Sequence, residues 1–208
     1  VELAVEEVKR MKHELGFKAS SITLVGWSAG CKGPRSQLLK AHVRTVDAIV
    51  VADGTAANYP VPDAKTQLLP WQEFAQDAAD GYTVFIGTHT MLTYTEHLPH
   101  PFMSTWNVLK LVTGFKLDKQ GPNDSPVVTR KGNLIVWSYS AASAAGHVFQ
   151  GQQALPAALA QAITLVRAGL RRGTNPVSEA PPDTKPSGEV VMAWRDPALT
   201  LGQRSLAW

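Results

Sequence analysis

Cysteine is almost absent from this sequence. Its one cysteine, Cys31, has no internal partner, so no disulfide frames the chain and no cysteine cluster holds zinc. Charge is also sparse, at 18% of residues, and a net charge of +3 carries little bias of sign. The one dense basic spot is Arg167, Arg171 and Arg172 on a single helix, which reads as a solvated face. A nucleic-acid partner is therefore not expected. No apolar run approaches the ~18 residues of a membrane span, so no transmembrane segment is expected either. There are no internal repeats. What the chain does have is apolar surface: 44% hydrophobic residues can offset chain entropy, and a disordered chain is excluded. The 208 residues fit one ordinary domain and part of a second. The chain opens on Val1 rather than Met, so an upstream segment is expected, and the missing signal peptide carries no information about compartment.

Helical and strand patterns alternate along the chain. Val1, Val5, Val8, Met11 and Leu15 recur at helical spacing, with Gly16 as a C-cap. Ser21 to Val25 reads as a buried strand that runs into Gly26-Trp27-Ser28-Ala29-Gly30, with a helix expected from Ala29 to Val43. Asp47 to Ala52 is a continuous apolar run, the mark of a strand covered on both faces. A Pro- and Ala-rich loop from Ala56 to Pro70 precedes a helix from Trp71 to Asp80. The third strand is Tyr82 to Gly87, followed by a loop carrying His89, His97 and His100.

Ser104 is placed to cap a helix from Thr105 to Val112. Gly114 to Arg130 is turn-rich, with an edge hairpin, and Leu134 to Ser138 is the fourth buried strand. A last long helix runs from Ala154 to Arg172, with Leu155, Leu159, Ala162, Val166 and Leu170 inward. Four β-then-α units predict an α/β fold, a mostly parallel open sheet with helices on both faces. Residues 1–172 form that domain, 173–189 read as a Pro-rich linker, and 190–208 as a C-terminal segment that starts a second domain. Within it, Val190 to Trp194 suits a strand and Leu199 to Trp208 an amphipathic helix.

Gly26-Trp27-Ser28-Ala29-Gly30 matches G-x-S-x-G at a strand-to-helix junction. There a strained turn lifts Ser28 above the sheet, and glycines leave room where a Cβ would clash. The helix N-terminus favours a developing negative charge, and the Ala29 N–H is placed as an oxyanion-hole donor. A five-residue pattern alone also fits a glycine turn with an incidental serine.

A serine hydroxyl needs a base to take its proton. His147, in Ala145-Gly146-His147-Val148 after the last buried strand and just before the final helix, is the best placed. His89 competes because Gly87-Thr88-His89 leaves the third strand on the same rim; it reads as a supporting residue or substrate contact. His13 and His42 lie on helices near solvent, and His97 and His100 in a proline-flanked loop. The i, i+3 pair His97-Leu-Pro-His100 does not suit a helical metal site, so neither metal nor cofactor is expected.

For the acid, Asp53 ends the second strand on the same carboxyl edge as Ser28, where ligands of open α/β sheets bind. Glu96, on the loop after the third strand, is the competitor, and Asp53 is also readable as an Asp-Gly turn. Asp118 and Asp124 look like solvated loop residues. Trp27, Trp71, Trp106, Phe102 and Tyr59 suit either an apolar cleft or core packing.

With Leu24-Val-Gly-Trp-Ser-Ala-Gly30 and the three later strands ending in Gly146-His147, the chain resembles the α/β-hydrolase superfamily over roughly residues 1–172. The resemblance implies that these are strands five to eight, with Ser28 as nucleophile and His147 as base. Most members place the acid after strand seven, which points to Glu96; a minority place it after strand six, which points to Asp53. The family draws its second oxyanion donor from a loop after strand three, and no such segment precedes these residues. Upstream strands are thus expected to be missing, or a different donor to serve. The tail Leu201 to Trp208 is similar to the first helix of cell-wall-related modules in bacterial multidomain proteins.

The expected activity is a serine hydrolase, an esterase that cleaves carboxylic esters through Ser28, His147 and Asp53 and an acyl-enzyme. Its substrate would be a small-molecule or cell-envelope ester. The alternative is a non-catalytic hydrolase-like module within a larger cell-envelope or multidomain assembly.

Overall fold

In the computed structural model the described residues are 14, 21–40, 46–55, 57, 61–92, 104–170 and 190–193. Strand β1 (Ile22–Trp27) ends in a 3-10 turn, Ser28–Cys31, that passes directly into helix α1 (Lys32–Lys40). There follow β2 (Ala48–Ala52), α2 (Val61–Ala79), β3 (Val84–His89) and α3 (Thr105–Thr113). Strands β4 (Val127–Lys131) and β5 (Leu134–Ser138) form a hairpin. Helix α4 (Ala144–Phe149) then widens into a π-helical turn, Gln150–Ala154, before α5 (Leu155–Arg167). Strand β6 (Val190–Ala193) is the last described element.

The six strands form one sheet in the order β4-β5-β3-β2-β1-β6. All neighbours pair in parallel except β4 with β5. This is an α/β architecture; in place of a hairpin within Gly114–Arg130, one edge strand, β4, pairs antiparallel with β5, the fourth buried strand of the sequence reading. Val190–Ala193 pairs with Ile22–Val25 and extends the same sheet. The expected N-terminal helix apart from Glu14, the linker 173–189 and the helix from Leu199 to Trp208 lie outside the described residues.

Strand residues alternate between two faces, and each face has its own helices. Ile49, Val51, Phe85, Leu134 and Val136 pack against Trp71, Phe74, Ala75 and Ala78 of α2 and Val108, Leu109 and Val112 of α3. Ala48, Val50, Val84, Ile86 and Ile135 face Ala158 and Ala162 of α5. Every residue of β2 and β3 is buried, which is why Ala48–Ala52 reads as an unbroken apolar run rather than an alternating one. On α5 the two alanines are the fully buried positions, and Leu155, Leu159 and Val166, with Leu170 past the helix end, pack around them half-buried.

Several boundaries differ from the sequence expectation: β1 runs on to Trp27 rather than ending at Val25, and the last helix ends at Arg167 rather than Arg172. Helix α2 starts at Val61 and runs through Pro70, where a loop was expected. Proline removes one helical hydrogen bond, but Leu68, Trp71, Phe74, Ala75 and Ala78 bury on the core side of the same helix and hold it. Strand β3 is shifted two residues later, so His89 belongs to it. The last helical stretch begins at Ala144, ten residues early, because Ser143 caps it by accepting the Gly146 N–H at 3.3 Å. His147 therefore rides on a helix, not on the loop before one.

Phe85 is fully buried, edge-on to Trp71 and tilted against Phe74. Phe85→Ala is expected to lower unfolding free energy in urea titration by about 3–5 kcal/mol. Val128→Thr, at an exposed position of the edge strand, is expected to stay within about 0.5 kcal/mol of the parent.

Candidate active site

Because β1, β2 and β3 are parallel, their C-terminal ends share one rim, and the chain leaves each through a polar residue. Ser28 follows β1, Asp53 follows β2, and His89 ends β3 with Thr90 next. Ser28 and Asp53 are the two non-glycine residues of the described chain with positive φ, at 56° and 42°. Such conformations cost energy, and surrounding packing must hold them.

Glycine supplies that packing. A Cβ on Gly54 would lie 2.0 Å from the Ser28 carbonyl oxygen and 2.5 Å from its amide nitrogen. A Cβ on Gly26 would lie 2.8 Å from Cys31 Cα. The Asp53-Gly54 pair is thus more than a turn: its glycine lets the second strand's exit close against the backbone of Ser28. Cys31 fills the space behind. Burial, with a smaller contribution from the nearby Asp53 charge, pushes its thiol far above the ordinary range, so it sits there as an uncharged side chain.

The three residues selected from sequence meet. His147 Nδ1 lies 2.9 Å from Asp53 Oδ2, and His147 Nε2 lies 3.0 Å from Ser28 Oγ. The carboxylate can only accept, so the proton belongs on Nδ1. That leaves the Nε2 lone pair to accept the Ser28 hydroxyl. Asp53 is buried and fully engaged: Thr90 N–H donates to Oδ1 at 3.1 Å, and Thr90 Oγ1 donates to Oδ2 at 2.7 Å. A carboxylate withdrawn from water needs such donors. Ala29, the expected oxyanion donor, is the second residue of the 3-10 turn, and its N–H is among the first-turn amides.

His89 is not part of this chain. It is fully buried, with Nδ1–H donating to the Thr90 carbonyl at 3.0 Å and Nε2 accepting from Ser138 Oγ at 2.9 Å. Desolvation pulls its pKa below the ordinary histidine value, against weaker opposing effects of the Thr90 carbonyl and the Asp53 charge. It supports Thr90, which in turn holds Asp53. Glu96, His97, His100, Phe102 and Tyr59 lie outside the described residues, as do His13 and His42. Asp118 and Asp124 are exposed, and Asp118 pairs with Lys110 at 3.5 Å.

Of the tryptophans, Trp71 is core, and Trp106 packs beside the core under the Lys110 ammonium. Trp27 stands against His147. Thr90, Gly54 and the Trp27 contact were not singled out from sequence: a threonine directly after a strand carries no distinguishing pattern. Among the described residues, no cluster of His, Cys, Asp or Glu is arranged to hold a metal ion, and no helix is long and apolar enough to cross a membrane. Comparison with protein-family models, curated proteins and solved structures found no match.

Two outcomes are expected. Thr90→Val removes a charge-assisted hydrogen bond to Asp53 and should cost about 1.5–3 kcal/mol in urea unfolding. His89 binds its proton less readily folded than unfolded, so its contribution to stability is present above the ordinary pKa of 6.5 and is lost as pH falls below it. The stability gap between the parent and His89→Gln should therefore narrow from pH 7.5 to pH 5.5.

Proposed function

We propose that the chain is a serine hydrolase acting on carboxylic esters, of the α/β-hydrolase kind. The observation that carries this reading is the unbroken hydrogen-bonded chain from Ser28 Oγ through both His147 nitrogens to Asp53. It joins residues far apart in sequence at the carboxyl rim of a parallel sheet, and its serine stands on a strained turn at a helix N-terminus.

In this mechanism the Ser28 oxygen attacks the ester carbonyl while His147 Nε2 takes the hydroxyl proton. Asp53 fixes the Nδ1–H tautomer and stabilises the imidazolium that forms. The carbonyl π electrons move onto oxygen, where the Ala29 N–H and the turn's N-terminal dipole stabilise the charge. Collapse expels the alcohol, which receives its proton from His147, and leaves an acyl ester on Ser28. Water then attacks that ester with His147 again as base, releasing the acid and restoring the serine.

Ser28→Ala should abolish hydrolysis of p-nitrophenyl acetate and labelling by a fluorophosphonate probe, with the circular dichroism spectrum unchanged. Asp53→Asn should lower kcat on the order of 10⁴-fold. A parent protein that neither labels nor turns over activated esters would instead indicate a non-catalytic hydrolase-like module.

A further inference from the structure

The hydrolase reading assigns no task to Trp27, yet its side chain lies against His147. Its indole stacks on the imidazole, with ring centroids 5.3 Å apart and planes 30° from parallel. Its Nε1–H donates to the backbone carbonyl of the same histidine at 3.1 Å. One side chain therefore holds both the ring and the main chain of His147.

Gly151 also lies against the indole. A Cβ there would lie 2.5 Å from Trp27 Cδ2 and 2.6 Å from Cε2, so only glycine lets the ring fit. Gly151 falls in the π-helical turn that interrupts the helix just past His147, a departure from regular helix often found at functional sites. Trp27 itself is the last residue of β1, in register with Ala52 and directly before Ser28. The clamp is thus mounted on the strand that carries the serine, and it grips the helix that carries the histidine.

From these contacts we infer that Trp27, seated on Gly151, is a positioning residue for His147. It fixes the imidazole plane so that Nε2 faces Ser28 Oγ and Nδ1 faces Asp53 Oδ2. This rests on the proposed hydrolase function for its kinetic consequence, but not for its geometry. Without the stacked indole, the hydrogen bonds to Asp53 and Ser28 still engage the two ring nitrogens, but the contact that sets the ring plane is gone. Misplacement of that plane acts on the chemical step and leaves substrate binding largely alone, with losses of about 10²-fold for displacements near 1 Å.

The test joins a spectroscopic arm to a kinetic one in the full chain. Ring protons of His147, identified by their loss in His147→Gln, should show an aromatic ring-current shift in the parent. That shift should vanish in Trp27→Leu and change in Gly151→Ala. With p-nitrophenyl acetate, Trp27→Leu should lower kcat about 10²-fold with KM little changed. Trp27→Phe keeps a ring but loses the N–H, and should recover part of the loss. It carries the same comparison if Trp27→Leu does not fold. His147 resonances unmoved in a folded Trp27 variant would overturn the inference, as would a parent-like kcat. A parent without ester turnover or probe labelling would overturn the hydrolase reading instead, and the resonance shifts would still decide the clamp.

Discussion

The arrangement at the rim depends on one buried carboxylate. Asp53 gives up water and receives three hydrogen bonds, from the Thr90 amide, the Thr90 hydroxyl and the His147 ring. Leaving any of these donors out would strand charge in a poorly solvating interior. Satisfying them draws β2, β3 and the helix that bears His147 to a common point. The buried His89–Ser138 pair extends the same logic, because it fixes the carbonyl of the threonine that does most of the holding.

Strain and close packing are paired here. Positive φ at Ser28 and at Asp53 would relax if the strand exits were free to move. They are not free, because Gly54 lies against the backbone of Ser28 with no room for even a methyl group. Sheet interior supports both exits: the strands leading to them are buried between helices on either face, so the residues after them inherit a rigid frame. A serine held this way loses little freedom on reaction, which suits the proposed chemistry.

The histidine is mounted differently. It comes from a short helix, begun by the Ser143 cap and interrupted after six residues by the π turn. Such an element is less constrained than a central strand. Contacts from the Trp27 indole on the face of the ring and the Asp53 carboxylate at its Nδ1 edge hold the imidazole itself. Small residues, Gly146 beside Ala141 and Gly151 beside Trp27, allow the approach.

The sequence by itself determined the local features. An unbroken apolar run identified β2, short apolar segments identified β3 and β5, the Ser104 cap located α3, and G-x-S-x-G at a strand end located Ser28. These depend on neighbours a few residues away, and so leave a readable pattern. Proline at position 70 misled, because its local cost is outweighed by burial of the helix face around it. Tertiary structure alone decided that Asp53 and His147, 94 positions apart, share a hydrogen bond. It also decided that His89 turns toward Ser138 and that Thr90, Gly54, Gly151 and Trp27 matter. Each of these rests on contact between residues distant in sequence. Such contacts are set by the order of strands in the sheet and the packing of helices on it, which no local pattern encodes.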